Sequence, residues 1–228
     1  MRTKLGLVGA KTVSQDVIII GIAGPSGSGK SLMASTIVSE LGSEQVIVIS
    51  EDSYYKDLGD MTLDARKSVN FDHPDAFDHA LLCEHLLGLR EGRSVDIPQY
   101  DHSTHSRLSQ TKTVGGHSII VLEGILLFVD SKLRDLMDTR IYIDTPLDIC
   151  LVRRLERDVT IRGRSVESVL RQYQSTVRPM YLQFIEPSKR YADIMVPRGG
   201  KNRIATDMIK AKMNELLGHM HHGSSKAE

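Results

Sequence analysis

The amino-acid sequence predicts an α/β fold in which a five-stranded parallel sheet is flanked by helices. Five short runs rich in valine and isoleucine recur along the chain, and helical patterns separate them. The runs are apolar throughout, which is typical of parallel strands that helices cover on both faces. The predicted strands span residues 17–23, 46–50, 118–122, 140–144 and 192–196.

Helical patterns and one irregular interval complete the predicted domain. The helices are expected at about 30–41, 76–91, 131–138, 146–158, 165–185 and 202–217. Residues 93–116 instead carry two β-rich runs around a polar stretch, which predicts a small β-hairpin inserted before the third sheet strand. We expect one domain over residues 17–217, with a flexible leader at 1–16 and a disordered tail at 218–228.

The charge balance limits the kinds of partner that the protein can have. Among its 228 residues, 29 are Lys or Arg and 29 are Asp or Glu, so the formal net charge is zero. This argues against nucleic-acid binding through broad neutralisation of phosphates. No apolar run approaches the ~18 residues that cross a membrane, and the run at 5–10 is too short for a signal peptide. We therefore expect a cytoplasmic protein without nucleic-acid or membrane partners.

A phosphate-binding motif follows the first predicted strand and opens the first predicted helix. It matches G-x-x-x-x-G-K-[ST] at every fixed position, over Gly24, Pro25, Ser26, Gly27, Ser28, Gly29, Lys30 and Ser31. The glycines let backbone N–H groups converge on phosphate oxygens, and the helix presents its positive N-terminal end. Lys30 is expected to reach the β- and γ-phosphates, and the Ser31 hydroxyl to bind Mg²⁺. The motif predicts a P-loop that binds a nucleoside triphosphate.

An acidic residue at the end of a buried strand is the second part of the predicted metal site. Glu123 directly follows the predicted strand 118–122. Ligands collect at the carboxyl ends of the strands in open α/β sheets, so Glu123 is expected beside the phosphate loop. We predict that Glu123 supports the Mg²⁺ ion together with Ser31.

Three classes of triphosphate-binding protein fit these parts: a small-molecule kinase, a GTP-dependent switch, and a mechanical or assembly ATPase. A switch GTPase needs D-x-x-G after its metal strand and an N-K-x-D guanine reader. Here Glu123 and Gly124 follow that strand, and N-K-x-D does not occur. Assembly ATPases generally carry further domains, which 228 residues do not accommodate.

A cluster of arginines favours the kinase class. Five fall within twelve residues after the fourth predicted strand: Arg153, Arg154, Arg157, Arg162 and Arg164. Such a cluster in a neutral protein is costly unless an anion compensates it, and a transferring γ-phosphoryl group is a suitable anion. We predict a lid at about 153–166. The alternative is a charged surface helix in which Glu156 and Asp158 offset part of the charge.

A kinase also needs a base for the acceptor hydroxyl. Glu51 and Asp52 directly follow the second predicted strand, where a carboxylate can face the phosphate loop. Adjacent residues of an extended chain point in opposite directions, so both residues qualify by position. The residues alone leave the choice between them open.

Several segments together resemble the uridine kinase (uridine–cytidine kinase) family in their order and spacing. They are the P-loop, the arginine cluster and residues 51–56, 71–74, 98–100, 123–126, 191–193 and 197–199. Residues 177–180 and 184–189 resemble the bacterial form of that family. Two positions depart from its pattern: His102 stands where an aromatic residue is usual, and Ile161 follows Thr160 where an acidic residue is common.

The resemblance implies transfer of the γ-phosphoryl group of ATP or GTP to the 5′-hydroxyl of uridine or cytidine, with Mg²⁺. It makes Asp52 the general base, and it implies that Asp72 and Arg154 hold the ribose hydroxyls while Gln172 lies near the sugar. It assigns the pyrimidine to Tyr55, Phe71, Tyr100 and His105, and the lid over the phosphates to Arg157, Arg162 and Arg164. It also implies a homotetramer.

Two other functions remain open on the sequence. One is a related P-loop kinase that acts on a different small alcohol, as phosphoribulokinase or pantothenate kinase does. The other is a non-catalytic sensor that binds a triphosphate and reports it to a partner. Turnover with uridine distinguishes the three.

Overall fold

A computed structural model describes residues 17–224 of the chain, with side chains described up to residue 218. Its strands are β1 (Ile18–Ala23), β2 (Val46–Ser50), β3 (Val95–Asp101), β4 (Ser106–Val114), β5 (Ile119–Gly124), β6 (Thr139–Asp144) and β7 (Ile194–Pro197). Within the described residues, five of them form a parallel sheet in the order β2-β5-β1-β6-β7. The predicted five-stranded parallel sheet is confirmed.

Helices connect the strands and cover the sheet. They are α1 (Lys30–Leu41), α2 (Leu63–Lys67), α3 (His79–Arg90), α4 (Ser131–Asp135), α5 (Leu147–Thr160), α6 (Val166–Gln172), α7 (Arg178–Met180), α8 (Glu186–Ser188) and α9 (Arg203–Ser224). The prediction for residues 30–41 coincides with α1. The other predicted helices differ from the observed ones at one or both ends.

Side chains that alternate along the strands form a hydrophobic core on each face of the sheet. On β5, Ile120 and Leu122 face one core, whereas Ile119 and Val121 face the other. Helix α3 packs on the first face, and helices α1 and α9 pack on the second. Burial on both faces explains why the strand sequences are apolar throughout.

The interval 93–116 forms the predicted hairpin. Strands β3 and β4 pair in antiparallel fashion in a sheet of their own, with a register shift between Pro98 and Tyr100. A 3₁₀ turn after β2 (Glu51–Tyr54) packs against β3. This contact holds the hairpin beside the carboxyl end of the parallel sheet.

The segment after α6 is wider than an ordinary α-helix. Two π-helical turns, Tyr173–Val177 and Tyr181–Ile185, alternate with the short helices α7 and α8. The sequence predicts one regular helix over 165–185, and the structure shows that the two π-helical turns interrupt it. Single π turns inside helices often occur at functional sites.

The C-terminal helix is longer than the sequence predicts. Helix α9 runs through Ser224, whereas the sequence predicted a helix that ends at 217 and a disordered tail. Gly218 weakens a helix by about 1 kcal/mol relative to alanine, which alone does not end it. Residues 1–16 and 225–228, which include the predicted leader, lie outside the described residues. Among the described residues no helix is long and apolar enough to cross a membrane.

Candidate active site

The P-loop forms a cradle between β1 and α1, where the backbone conformation requires glycine. Gly27 has φ +83°, and a β-carbon there would overlap the carbonyl oxygen of Cys150 in α5. The carbonyl oxygen of Ser28 accepts hydrogen bonds from the Thr145 hydroxyl at 3.0 Å and the Gly200 amide at 3.3 Å. These two bonds join the loop to the ends of β6 and β7, which hold the cradle in place.

Lys30 lies inside the cradle and is nearly buried. Its Nζ donates a hydrogen bond to the carbonyl oxygen of Pro25 at 3.2 Å. Burial lowers the pKa of Lys30, while the carboxylates of Glu123 and Asp52 oppose that shift. Lys30 lines a cavity of about 280 Å³ together with Ser26, Gly27, Gly29, Ser31 and Glu123, which is the space where the motif predicts phosphates.

Oxygen atoms suited to Mg²⁺ meet at one edge of this cavity. Glu123 Oε2 lies 3.2 Å from the hydroxyl of Ser31, and Glu123 Oε1 accepts a hydrogen bond from Ser50 at 2.9 Å. Protein oxygens are the ligands that Mg²⁺ prefers, and it is usually bound through one or two carboxylates and substrate phosphates. The described residues contain no cluster of three or more metal-ligating side chains. Ser31 and Glu123 therefore supply one hydroxyl and one carboxylate that fit a Mg²⁺ ion.

Glu51 and Asp52 occupy very different environments although they are adjacent. Glu51 is 0% exposed; it contacts His79 Nε2 at 2.9 Å and accepts a hydrogen bond from the Leu126 amide at 2.9 Å. Gly124 makes this burial achievable, because a β-carbon there would overlap the Glu51 carboxylate. The side chain of Asp52 is 40% exposed and lines the phosphate cavity. The 3₁₀ turn, and not an extended chain, separates the two carboxylates.

An aromatic wall lies opposite the P-loop in a cleft of about 930 Å³. The rings of Tyr55 and Tyr100 are 5.0 Å apart, and Phe71 stacks on His105 with centroids 4.7 Å apart and an interplanar angle of 14°. His102, which departs from the family pattern, lies in the same wall with Nε2 4.0 Å from Asp52 Oδ2. Flat rings around a cleft suit a planar ligand such as a nucleobase.

A buried carboxylate and a buried guanidinium lie deeper in this cleft. Asp72 is 5% exposed and accepts a hydrogen bond from the Thr176 hydroxyl at 3.4 Å. Arg154 donates from Nη2 to Gln172 Oε1 at 2.9 Å. Burial raises the pKa of Asp72 and lowers that of Arg154, and each residue's charge partly offsets the other's shift.

Tyr100 and Arg154, which line the cleft, each carry a buried polar atom. Within the described part of the chain, the Tyr100 hydroxyl and Arg154 Nε are buried without a hydrogen-bond partner. Unpartnered buried polar atoms are rare in folded proteins. Arg154 Nε lies 3.7 Å from Asp158 Oδ2, so an ion pair compensates its charge, whereas the Tyr100 hydroxyl has no such partner among the described residues.

The lid arginines converge on one residue that the sequence analysis treated only as a surface charge. Asp158, in α5, is 0% exposed and forms ion pairs with Arg154, Arg157, Arg162 and Arg164. Arg164 also donates to Gln172 Oε1 at 2.7 Å. The structure therefore brings together four of the five clustered arginines and Gln172, whereas Arg153 contacts the carbonyl oxygens of Gly27 and Ser28 at 3.5 Å.

The phosphate cavity and the acceptor cleft meet at shared residues. Asp52, Arg157, Ser26 and Ile125 line both spaces. A group held in the cradle and a group held against the aromatic wall would therefore face each other beside Asp52 and Arg157. This is the arrangement that a transfer between two bound molecules needs.

Some site residues were missed by the sequence analysis because their signals are weak. The spacing of Asp158 four residues after Arg154 places both on one helix face, which is a clue that was available. Thr176 lies four residues after Gln172, and its hydroxyl also donates to the Gln172 carbonyl oxygen at 3.1 Å. Ser50 and Thr145 carry no pattern that distinguishes them from other strand-end hydroxyls.

Comparison with known proteins agrees with this geometry. Residues 19–205 match the family described as "Phosphoribulokinase / Uridine kinase family". The chain is 59% identical over 208 residues to a uridine kinase of Shewanella amazonensis, covering 90% of this chain and 98% of that protein. It is also 59% identical over 204 residues to a uridine kinase of Aeromonas hydrophila, covering 88% and 95% of the two chains.

Solved structures support the fold. Phosphoribulokinase from Rhodobacter spheroides matches with a TM-score of 0.61 at 19% identity, covering 81% of this chain and 71% of that one. A D-glycerate 3-kinase from Cryptococcus neoformans matches with a TM-score of 0.58 at 17% identity, covering 74% and 79%. At these identities the similarity concerns the P-loop kinase fold alone. With a family match over most of its length and relatives at 59% identity, the chain belongs to the phosphoribulokinase/uridine kinase family.

Proposed function

We propose that the protein transfers the γ-phosphoryl group of ATP or GTP to the 5′-hydroxyl of uridine or cytidine. The observation that carries this proposal is the junction of the two cavities, where Asp52 and Arg157 line both the phosphate cradle and the acceptor cleft. The names of the relatives, which are uridine kinases at 59% identity, support the acceptor.

The acceptor cleft offers separate groups for the base and the sugar. The rings of Tyr55, Phe71 and Tyr100 pack against the pyrimidine, and His105 meets its polar edge. Asp72 and Arg154 hold the two ribose hydroxyls, because a carboxylate can accept from both members of a cis-diol while the guanidinium donates. Gln172 keeps the Arg154 guanidinium in place through the 2.9 Å hydrogen bond.

Asp52 is the general base of the proposed reaction. With the sugar held at Asp72, the 5′-hydroxyl projects toward the cavity junction, where the half-exposed Asp52 carboxylate can accept its proton. Glu51 is the poorer candidate, since both of its oxygens already have partners in the core. General bases contribute about 10²–10⁴-fold to the rate.

The donor side stabilises negative charge on the transferring group. The P-loop amides and Lys30 hold the β- and γ-phosphates, and Arg157 and Arg162 face the γ-phosphoryl from the acceptor side. Ser31 and Glu123 would hold Mg²⁺, which when bound neutralises charge on the phosphate oxygens. We also propose a cytoplasmic homo-oligomer, a tetramer by resemblance to the family.

Turnover with a panel of acceptors tests the proposal. The purified protein is incubated with Mg²⁺ and either ATP or GTP, and with uridine, cytidine, ribulose 5-phosphate, pantothenate or D-glycerate. Formation of UMP and CMP at rates well above those of the other products is expected. A preference for one of the other alcohols would indicate a related kinase, and triphosphate binding without any product would indicate a sensor.

A further inference from the structure

Asp158 is an acidic residue at the centre of the lid arginines. Its Oδ1 lies 2.8 Å from Arg157 Nη2 and 3.5 Å from Arg162 Nη1, and its Oδ2 lies 3.3 Å from Arg164 Nη1 and 3.7 Å from Arg154 Nε. Its own backbone carbonyl accepts the Arg164 amide at 3.0 Å. One residue therefore holds both the side chains and the backbone turn of the arginine cluster.

The charges of this cluster do not balance by themselves. Asp158 pairs with four guanidinium groups, and Asp72 and Asp52 are the other carboxylates near Arg154 and Arg162, so positive charge remains in excess beside the cavity junction. All four arginines line the acceptor cleft, whereas Asp158 does not contribute to its lining and is 0% exposed. Burying a carboxylate is costly unless it is paired and hydrogen-bonded. The arrangement thus keeps the Asp158 carboxylate out of the cleft, while the four guanidinium groups line the cleft.

We propose that Asp158 is a positioning residue for phosphoryl transfer, which aims Arg157, Arg162 and Arg164 at the transferring group. It touches neither substrate and acts through the arginines. Without its charge, Arg157 and Arg162 would have no ion-pair partner among the described residues and would repel each other. Arg164 would lose its ion pair but keep its hydrogen bonds to Gln172 and Ser168. The proposal rests on the proposed kinase function.

Replacing Asp158 by its amide tests this role against a matched control. Asp158→Asn keeps the shape and removes the charge, and Glu156→Gln removes one negative charge from an exposed position of the same helix. We expect kcat for uridine phosphorylation to fall about 10²-fold in Asp158→Asn, the scale of a small misplacement of catalytic groups. Glu156→Gln should keep the kcat of the wild type.

A double-mutant cycle separates positioning from general stabilisation. If Asp158 acts through Arg162, then Asp158→Asn should cost much less in kcat when Arg162 is already alanine. Rates are measured well below the thermal midpoint of each variant, so that all are folded. Additive losses in this double variant and in the matching Arg157→Ala and Arg164→Ala double variants would overturn the proposal, and so would a wild-type kcat in Asp158→Asn.

Asp158→Glu keeps the experiment decisive if the amide variant does not fold. The glutamate retains the compensating charge but moves it by one methylene, so a folded variant with reduced kcat is expected. Wild-type kcat in Asp158→Glu would overturn the positioning role. If the wild-type protein forms no UMP, the kinase proposal and this proposal fail together. If the wild-type protein is active and Asp158→Asn is equally active, only this proposal fails.

Discussion

Substituting the adjacent carboxylates Glu51 and Asp52 one at a time by their amides should change different properties of the protein. Asp52→Asn keeps the size of the side chain, but the amide cannot take the proton of the 5′-hydroxyl, so kcat should fall ~10²–10⁴-fold. This corresponds to about 2.7–5.4 kcal/mol of transition-state stabilisation. Because the Asp52 side chain is 40% exposed, the thermal midpoint should shift little.

Glu51→Gln should have the opposite profile. The Glu51 carboxylate is fully buried and has partners on both oxygens, His79 and the Leu126 amide. The single carbonyl oxygen of glutamine can keep only one of these two partners, and the glutamine NH₂ group would face the other without a negative charge. We expect this to lower the free energy of unfolding by about 1–3 kcal/mol. For a chain of this length each kcal/mol lowers the midpoint by roughly 2–4 °C. A fall of about 2–12 °C is therefore expected, with kcat close to that of the wild type.

Steady-state kinetics with uridine and thermal unfolding of both variants decide the assignment. The reasoning is refuted if Asp52→Asn retains its kcat, or if Glu51→Gln loses kcat as severely while its midpoint is unchanged. Either result would make Glu51 the candidate base. Nucleoside affinity should change only modestly in both variants, since neither residue is assigned to the sugar or the pyrimidine.

The remaining predictions concern the metal, the sugar and the pyrimidine. Glu123→Gln should raise the Mg²⁺ concentration for half-maximal rate; an unchanged requirement would contradict its metal role. Burial raises the pKa of Asp72, so its carboxylate loses charge at a higher pH than an ordinary aspartate does. The KM for uridine should therefore rise as the pH falls toward that pKa, and Asp72→Asn should show a high KM without this pH dependence. His105→Lys leaves only a donor at position 4 of the base, so the uridine-to-cytidine ratio of kcat/KM should rise at least ~tenfold. His105→Gln keeps a donor and an acceptor, so it should preserve the wild-type ratio. A wild-type ratio in His105→Lys would mean that His105 does not contact position 4 of the base.

The parts of the site that the sequence predicts are those encoded locally. The P-loop could be recognised because backbone geometry ties the glycines and Lys30 to fixed spacings between a strand and a helix. Glu123 could be placed because the carboxyl ends of parallel strands share one edge. The choice between Glu51 and Asp52 could not be made from the residues, since it depends on a 3₁₀ turn where an extended chain was assumed.

Other features depend on packing that no local pattern reveals. The sequence predicts Asp158 only as part of a charged surface, because its burial comes from arginines that lie up to six residues away and fold back over it. The sequence predicts one regular helix where the structure has two π-helical turns. Only the structure shows that the Thr176 hydroxyl reaches Asp72 across 104 positions of the chain.

The two π-helical turns have a consequence for how this chain tolerates insertions and deletions. A π turn accommodates one more residue than an α turn, so deleting a residue within 173–177 would let the segment relax to regular α-helix. Each residue turns an α-helix by about 100°. The part before the deletion, which carries Gln172, would then rotate relative to the part that carries Phe184 and Ile185 against the core. Single-residue length changes in this helix should thus displace Gln172 from Arg154 and Arg164, whose guanidinium groups donate to Gln172 Oε1 at 2.9 and 2.7 Å.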